Sequence, residues 1–234
     1  SNILEVSANA SLVYKPNQKF TNRITYAETN IDRKYNTYAD AQNEYEGGRK
    51  ALTYFGNYNI NLDSSVVFGV ETEFDQMWKS KVSDRFNGKE GLQVNSAHID
   101  YQKRFTNNLY ATLGARLDEH SLVGKEDAQR VTVAYLFDDK TTKIKSSYGT
   151  GFRFPTINEA YFDYYAHPAN REILKAEKSK SFDVGLEKSF LDLGLNIDVS
   201  YFNIKYIDAL EGWEGNTQGS GVGYSTLNSL STTK

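Results

Sequence analysis

Ten stretches of this chain alternate polar and apolar residues, and the gaps between them run short, long, short, long. Strict alternation over about ten residues builds a strand with one wet and one apolar face, because successive side chains point to opposite sides of the pleat. Strands joined by a tight turn must run antiparallel, since parallel neighbours need a long crossover. Tight turns at one end and long loops at the other mark an up-and-down barrel, most strongly an outer-membrane barrel. The expected fold is all-β: the wall of an antiparallel up-and-down transmembrane β-barrel.

The predicted strands cover residues 4–15, 20–31, 49–60, 66–75, 92–105, 109–119, 128–137, 142–150, 179–190 and 193–206, with an eleventh opening near Tyr224. Long gaps fall at 32–48, 76–91, 151–178 and 208–223, and a medium loop at 120–127. None has the 3.6-residue apolar period of a helix; residues 156–165 allow a short helical turn at most. Both termini cut into alternating segments. About ten or eleven strands are therefore expected to be an internal piece (residues 1–234) of a larger barrel, with the terminal strands outside it.

No apolar run approaches the roughly 20 residues of a membrane helix. A barrel wall escapes that requirement, because only every second residue meets lipid. There is no cysteine, which excludes disulfides and thiolate metal sites. The 27 basic and 30 acidic residues are interspersed and form no basic stripe, so nucleic acid is not an expected partner. Alternation alone does not say whether the apolar face meets a core or lipid. The densely charged polar faces, and aromatics near the ends of the apolar faces such as Tyr14, Tyr26, Phe74, Phe190 and Tyr201, favour lipid. On that basis Val6, Leu12, Phe68, Val70, Leu113, Phe182, Val184, Ile197 and Val199 face lipid, and Glu71, Glu73, Arg116, Asp183 and Asp198 face the lumen.

Three segments carry a family signal. Residues 147–161 read SYGTGFRFPTINEAY, residues 174–185 read LKAEKSKSFDVG, and residues 201–208 read YFNIKYID. In this order they resemble TonB-dependent outer-membrane receptors, where such segments mark a strand rising into an external loop, the chain re-entering the wall, and the strand that follows. Two positions depart from the pattern. Phe154 stands where alanine is usual, and Ala176 where proline is usual, which removes a fixed φ and predicts a looser loop exit. The resemblance implies a barrel of about 22 strands, an N-terminal plug lying outside this chain, and import of a bulky ligand driven through TonB, in the outer membrane of a Gram-negative bacterium. Motif spacing and modest loops resemble the cobalamin branch most, with ferric-siderophore and haem receptors sharing the motifs. The alternative is an outer-membrane porin or adhesin without energy coupling.

No enzyme activity and no cofactor are expected. Ser96, His98 and Asp100 have the composition of a hydrolytic triad. Same-face neighbours on a strand sit about 6.5–7 Å apart, though, while a triad needs contacts of about 3 Å. His98, His120 and His167 lack metal-ligand spacing, and no metal site is expected. The longest gap holds the candidate ligand-binding residues Arg153, Tyr161, Tyr164, Tyr165 and His167. Tyrosine offers large, rigid, amphipathic contact area at small entropic cost. Arg153 and Glu159 are placed to pair near the rim.

Overall fold

The computed structural model describes residues 2–36, 42–79, 88–157, 159–160, 174–216 and 222–228. Ten strands form one sheet: β1 (Asn2–Tyr14), β2 (Phe20–Asn36), β3 (Gln42–Asn61), β4 (Ser64–Lys79), β5 (Gly88–Arg104), β6 (Leu109–His120), β7 (Gly124–Leu136), β8 (Thr142–Arg153), β9 (Glu177–Phe190) and β10 (Leu195–Ile207). They lie side by side in chain order, and each neighbouring pair is antiparallel. The sheet is open, with β1 and β10 as its edges. Two further strands, β11 (Leu210–Asn216) and β12 (Val222–Asn228), pair with each other. No helix among the described residues is long and apolar enough to cross a membrane, which leaves crossing by strands open.

One device closes four of the tight turns. A side-chain oxygen accepts two hydrogen bonds just downstream, replacing ladder bonds the turn cannot make. Asn17 Oδ1 accepts from the N–H of Lys19 and of Phe20, and Thr106 Oγ1 from Asn108 and Leu109. Asp139 Oδ1 accepts from Thr141 and Thr142. Asn61 Oδ1 accepts from the Asp63 N–H and the Ser64 hydroxyl. The fifth turn is a single 3-10 turn, Leu191–Leu193, ended by Gly194 at φ 60°, where a side chain would be strained.

The gaps are shorter than the alternation predicted. Residues 32–48 are largely strand, since β2 runs to Asn36 and β3 starts at Gln42. Likewise β4 reaches Lys79 and β5 starts at Gly88, while the medium loop shrinks to residues 121–123. The last predicted loop, 208–223, holds β11, and the eleventh strand opens at Val222 but pairs with β11 outside the main sheet. The cause is common to these cases. Beyond the apolar band both faces of a strand are polar, so period-2 alternation vanishes while backbone pairing continues.

Register sorts the side chains. Glu71 lies opposite Thr53 and Ser96, Ser96 opposite Asp118, and Arg116 opposite Ala128. Asp183 lies opposite Ser147 on one side and Phe202 on the other. This polar face bounds a cavity of about 970 Å³ that reaches from β2 to β8, which makes it the concave side. The opposite face carries Val70, Ile99 and Leu113 in the middle of the sheet, each more than half exposed. Among the described residues the buried apolar side chains are Leu92, Pro155, Ile157, Ala160 and Ala176, all toward the long-loop end. With no second layer to cover it, the apolar face suits lipid. From Leu4 to Tyr14 the band spans about 33 Å along the strand, or about 25 Å of membrane thickness at a tilt near 40°. The tip of the Phe68 ring lies over Gly56, where a Cβ would meet it at 2.6 Å, and the ring neighbours Phe20 and Tyr54 on the same face. On β2 the apolar side chains end at Tyr26, which pairs with Ala10 and donates its hydroxyl to Glu28 at 2.8 Å.

Two outcomes are expected. Expressed alone without detergent, the 234-residue chain aggregates, because both edges and one whole face lack partners; a monodisperse, cooperatively melting product would contradict the open sheet. In the complete barrel, water-soluble thiol reagents label cysteines placed at Asp183 and Asp198 and spare those at Val184 and Ile197. The reverse pattern would invert the assignment of faces.

Candidate functional site

The long-loop end of the concave face is where charge converges. Arg49, on β3, grips Asp75 of β4 with two hydrogen bonds, Nε to Oδ1 at 2.7 Å and Nη2 to Oδ2 at 2.8 Å. The same guanidinium lies 3.5 Å from Glu73. Thr53 donates its hydroxyl to Glu71 at 2.8 Å. Across β5 and β6, Arg116 donates to Asp118 at 2.7 Å and to the Ser96 hydroxyl at 2.9 Å. Glu71 and Glu73, predicted to face the lumen, line this cavity, and the charge of Glu73 and Asp75 is partly matched by Arg49 within the wall.

After β8 the chain folds inward over this cavity. Phe154 stacks on His120 at 4.6 Å between ring centroids and touches Phe152 at 5.1 Å. His120 is 3% exposed, and its Nδ1 accepts the N–H groups of Leu122 and Val123. An accepting Nδ1 carries no proton, so the ring is neutral with its proton on Nε2. Ile157 packs on Leu92 beside Met77 and Leu122. The large side chain at position 154 thus has a use: it seats the loop's first turn on β6.

Next comes a reciprocal cap. The Thr156 N–H and hydroxyl donate to Glu159 Oε2 at 2.8 and 3.0 Å, and the Glu159 N–H donates back to Thr156 Oγ1 at 3.2 Å. This is the Ser/Thr-x-x-Glu capping arrangement at the start of a helical turn, and the Ala160 N–H bonds the Thr156 carbonyl. Arg153 donates from Nη1 to both oxygens of Glu159, at 3.1 and 3.0 Å, and its Nε lies 3.8 Å from Glu177 on β9. Glu177 in turn accepts the Leu210 N–H at 3.0 Å. One arginine thereby links the loop's departure, its return and the start of β11. Burial pushes the Glu159 carboxyl up, but hydrogen bonds from Arg153 and Thr156 outweigh it and hold the group below its ordinary value. Ala176, expected to loosen the loop's return, is fully buried.

Of the candidate ligand-binding residues, Arg153 stands at the mouth as described. Tyr161, Tyr164, Tyr165 and His167 lie outside the described residues. The Arg153–Glu159 pair matches the expectation. The His120–Phe154 stack was missed, and only the unusual Phe154 signalled it. The Thr156-x-x-Glu159 spacing was a visible cap signal. The triad composition comes apart: Ser96 bonds Arg116, Asp100 bonds Arg130 at 3.0 Å, and His98 covers Gly69, where a Cβ would meet the ring at 2.5 Å.

Glu159→Gln is expected to free Arg153 and increase amide exchange around Ala160 in the complete protein, leaving exchange in β8 unchanged. Because the folded Glu159 value is lowered, its contribution is full above about pH 4.5 and is lost as pH falls through the folded value. Protection around Ala160, taken relative to the intrinsic exchange rate at each pH, should fall in the wild type on acidification below that point, and the Gln variant should show no such fall. Equal acid response in both would remove Glu159 as the clip.

Solved structures resemble this one closely in fold. A double mutant of the haemophore receptor HasR of Serratia marcescens, in complex with its haemophore HasA and haem, superposes with a TM-score of 0.78 at 16% identity, over 99% of this chain and 44% of that one. A mutant of the ferric enterobactin receptor PfeA of Pseudomonas aeruginosa gives 0.76 at 13% identity, over 97% and 39%. The siderophore receptor PirA of Pseudomonas aeruginosa gives 0.66 at 14%, over 97% and 51%. The chain thus spans about half or less of each of these receptors. No curated protein matches at a significant level. The sequence itself matches the family described as TonB dependent receptor-like, beta-barrel, over residues 3–231, and the chain belongs to that family.

Proposed function

We propose that the complete protein is an outer-membrane receptor of a Gram-negative bacterium, importing a bulky, scarce nutrient by TonB-coupled transport. The observation that carries this is a family match over residues 3–231 joined to a polar concave face that ten strands leave open. Eight strands suffice to close a barrel packed with its own side chains. A wall this broad encloses a lumen wide enough to hold a plug, and moving a plug would take an energy input. The plug and the contact with TonB belong to the remainder of the protein.

The relatives are described as binding haem with its haemophore, or ferric enterobactin, or as siderophore receptors. An iron-bearing chelate or haem is accordingly placed first as ligand, and cobalamin, which rests on motif spacing and modest loops, second. Within the mouth, Arg153 with Tyr161, Tyr164, Tyr165 and His167 is proposed to make the contacts. No reaction is assigned to the wall.

Cells carrying the complete gene should accumulate labelled ferric siderophore, haem or cobalamin, and a protonophore or loss of TonB should abolish accumulation while leaving surface binding intact. Accumulation that survives uncoupling would instead favour a porin, the second reading. Changing Tyr161, Tyr164 and Tyr165 together to Ala should weaken binding at least about tenfold at equal surface amount. An unchanged dissociation constant would move the site to other loops or the plug.

A further inference from the structure

The outward face of β8, β9 and β10 carries no acidic side chain. Register puts Ile144, Tyr148, Phe182, Val184, Ile197 and Val199 there, bounded by lysines at both ends. Toward the tight turns, Lys188 is satisfied within the protein: it donates to Asp139 at 2.8 Å, Thr141 at 2.9 Å and Thr142 at 2.7 Å. About 26 Å further along β9, just beyond Phe182 and Tyr201, the case is opposite. Lys180 and Lys205 are direct cross-strand partners, both exposed, and among the described residues neither has an acidic partner. Lys178, two residues further toward the long loop, is held by Glu126 at 2.6 Å.

Like charges placed directly opposite on one face destabilise a strand pair. A shared anion between the two ammonium groups removes that penalty. We propose, resting on the assignment of this face to outer-membrane lipid, that Lys180 and Lys205 bracket a phosphate of an outer-leaflet glycolipid headgroup, with Phe182 and Tyr201 against its acyl chains. Charge complementarity selects the occupant: the outer leaflet carries phosphorylated lipid A, whose phosphates lie at the boundary where apolar side chains give way to lysine. Lys188, at the other boundary, already has its anion in Asp139 and takes no lipid.

The test uses the complete receptor in detergent, with slowed gel migration before heating as the measure of folding. Diphosphorylated lipid A is titrated by native mass spectrometry, alongside the same glycolipid stripped of phosphate and inorganic phosphate alone. The double variant Lys180→Gln, Lys205→Gln should bind lipid A about thirtyfold more weakly than the wild type. Lys188→Gln should bind as the wild type does, and the stripped glycolipid should bind all three weakly and alike. Equal lipid A affinity in wild type and double variant, or equal loss in Lys188→Gln, overturns the proposal. So does displacement of lipid A by inorganic phosphate at similar concentration, which would mark a free-ion site. A wild type that folds and stays monodisperse in water without detergent overturns the lipid assignment beneath it as well. Uptake that survives uncoupling bears only on transport and leaves the lysine site standing.

Discussion

A peptide group in hydrocarbon has no water to bond, and each one left unpaired costs several kcal/mol. In this chain that condition makes every strand depend on its neighbours. The ladder runs from β1 to β10 with one register shift between consecutive strands, at Asn59/Asn61 by a tight turn. Slippage by one residue would exchange the two faces of a strand. For β10 it would put Asp198 where Ile197 or Val199 meets lipid. Cross-strand polar contacts reinforce the correct pairing on the wet side, as where the Ser147 hydroxyl meets Asp183 on β9. Backbone pairing and side-chain sorting therefore specify the same arrangement by separate means.

Beyond the band the means change. Water competes for every donor there, and a ladder alone no longer dictates which loop lies where. The mouth is held by charge and by a few rings: Arg49 on Asp75, Arg153 between Glu159 and Glu177, Phe154 on His120. The ion pairs among these contacts are partly exposed, and salt and solvent screen them. A turn fastened this way can be released without disturbing the wall below it.

How much could be read in advance follows the same division. Within the band, alternation placed all ten wall strands, because lipid on one side and water on the other impose a period of two. Residues 32–36 and 42–48 escaped notice because Asp32, Lys34, Glu44 and Glu46 carry charge on the face that is apolar further down. Nor did alternation reveal β11, whose Leu210 start is tied to Glu177, thirty-odd residues away in sequence. At the mouth, Arg153 with Glu159 was visible from charge and spacing. The stack of His120 under Phe154 was not, since nothing local relates the end of β6 to a residue beyond β8. The Ser96, His98 and Asp100 row shows the opposite failure, a suggestive composition scattered among three separate partners.

The strands are not of equal length. β2 to β5 run 16 to 20 residues, whereas β6 to β10 run 12 to 14. At about 3.3 Å per residue, β3 stretches about 66 Å and β6 about 40 Å. The extra length lies at the long-loop end, so the wall stands as a parapet on one flank and a low sill on the other. The chain leaves β8 at that same sill, where Arg153 and Phe154 fasten the first turn beyond the strand to Glu159 and His120.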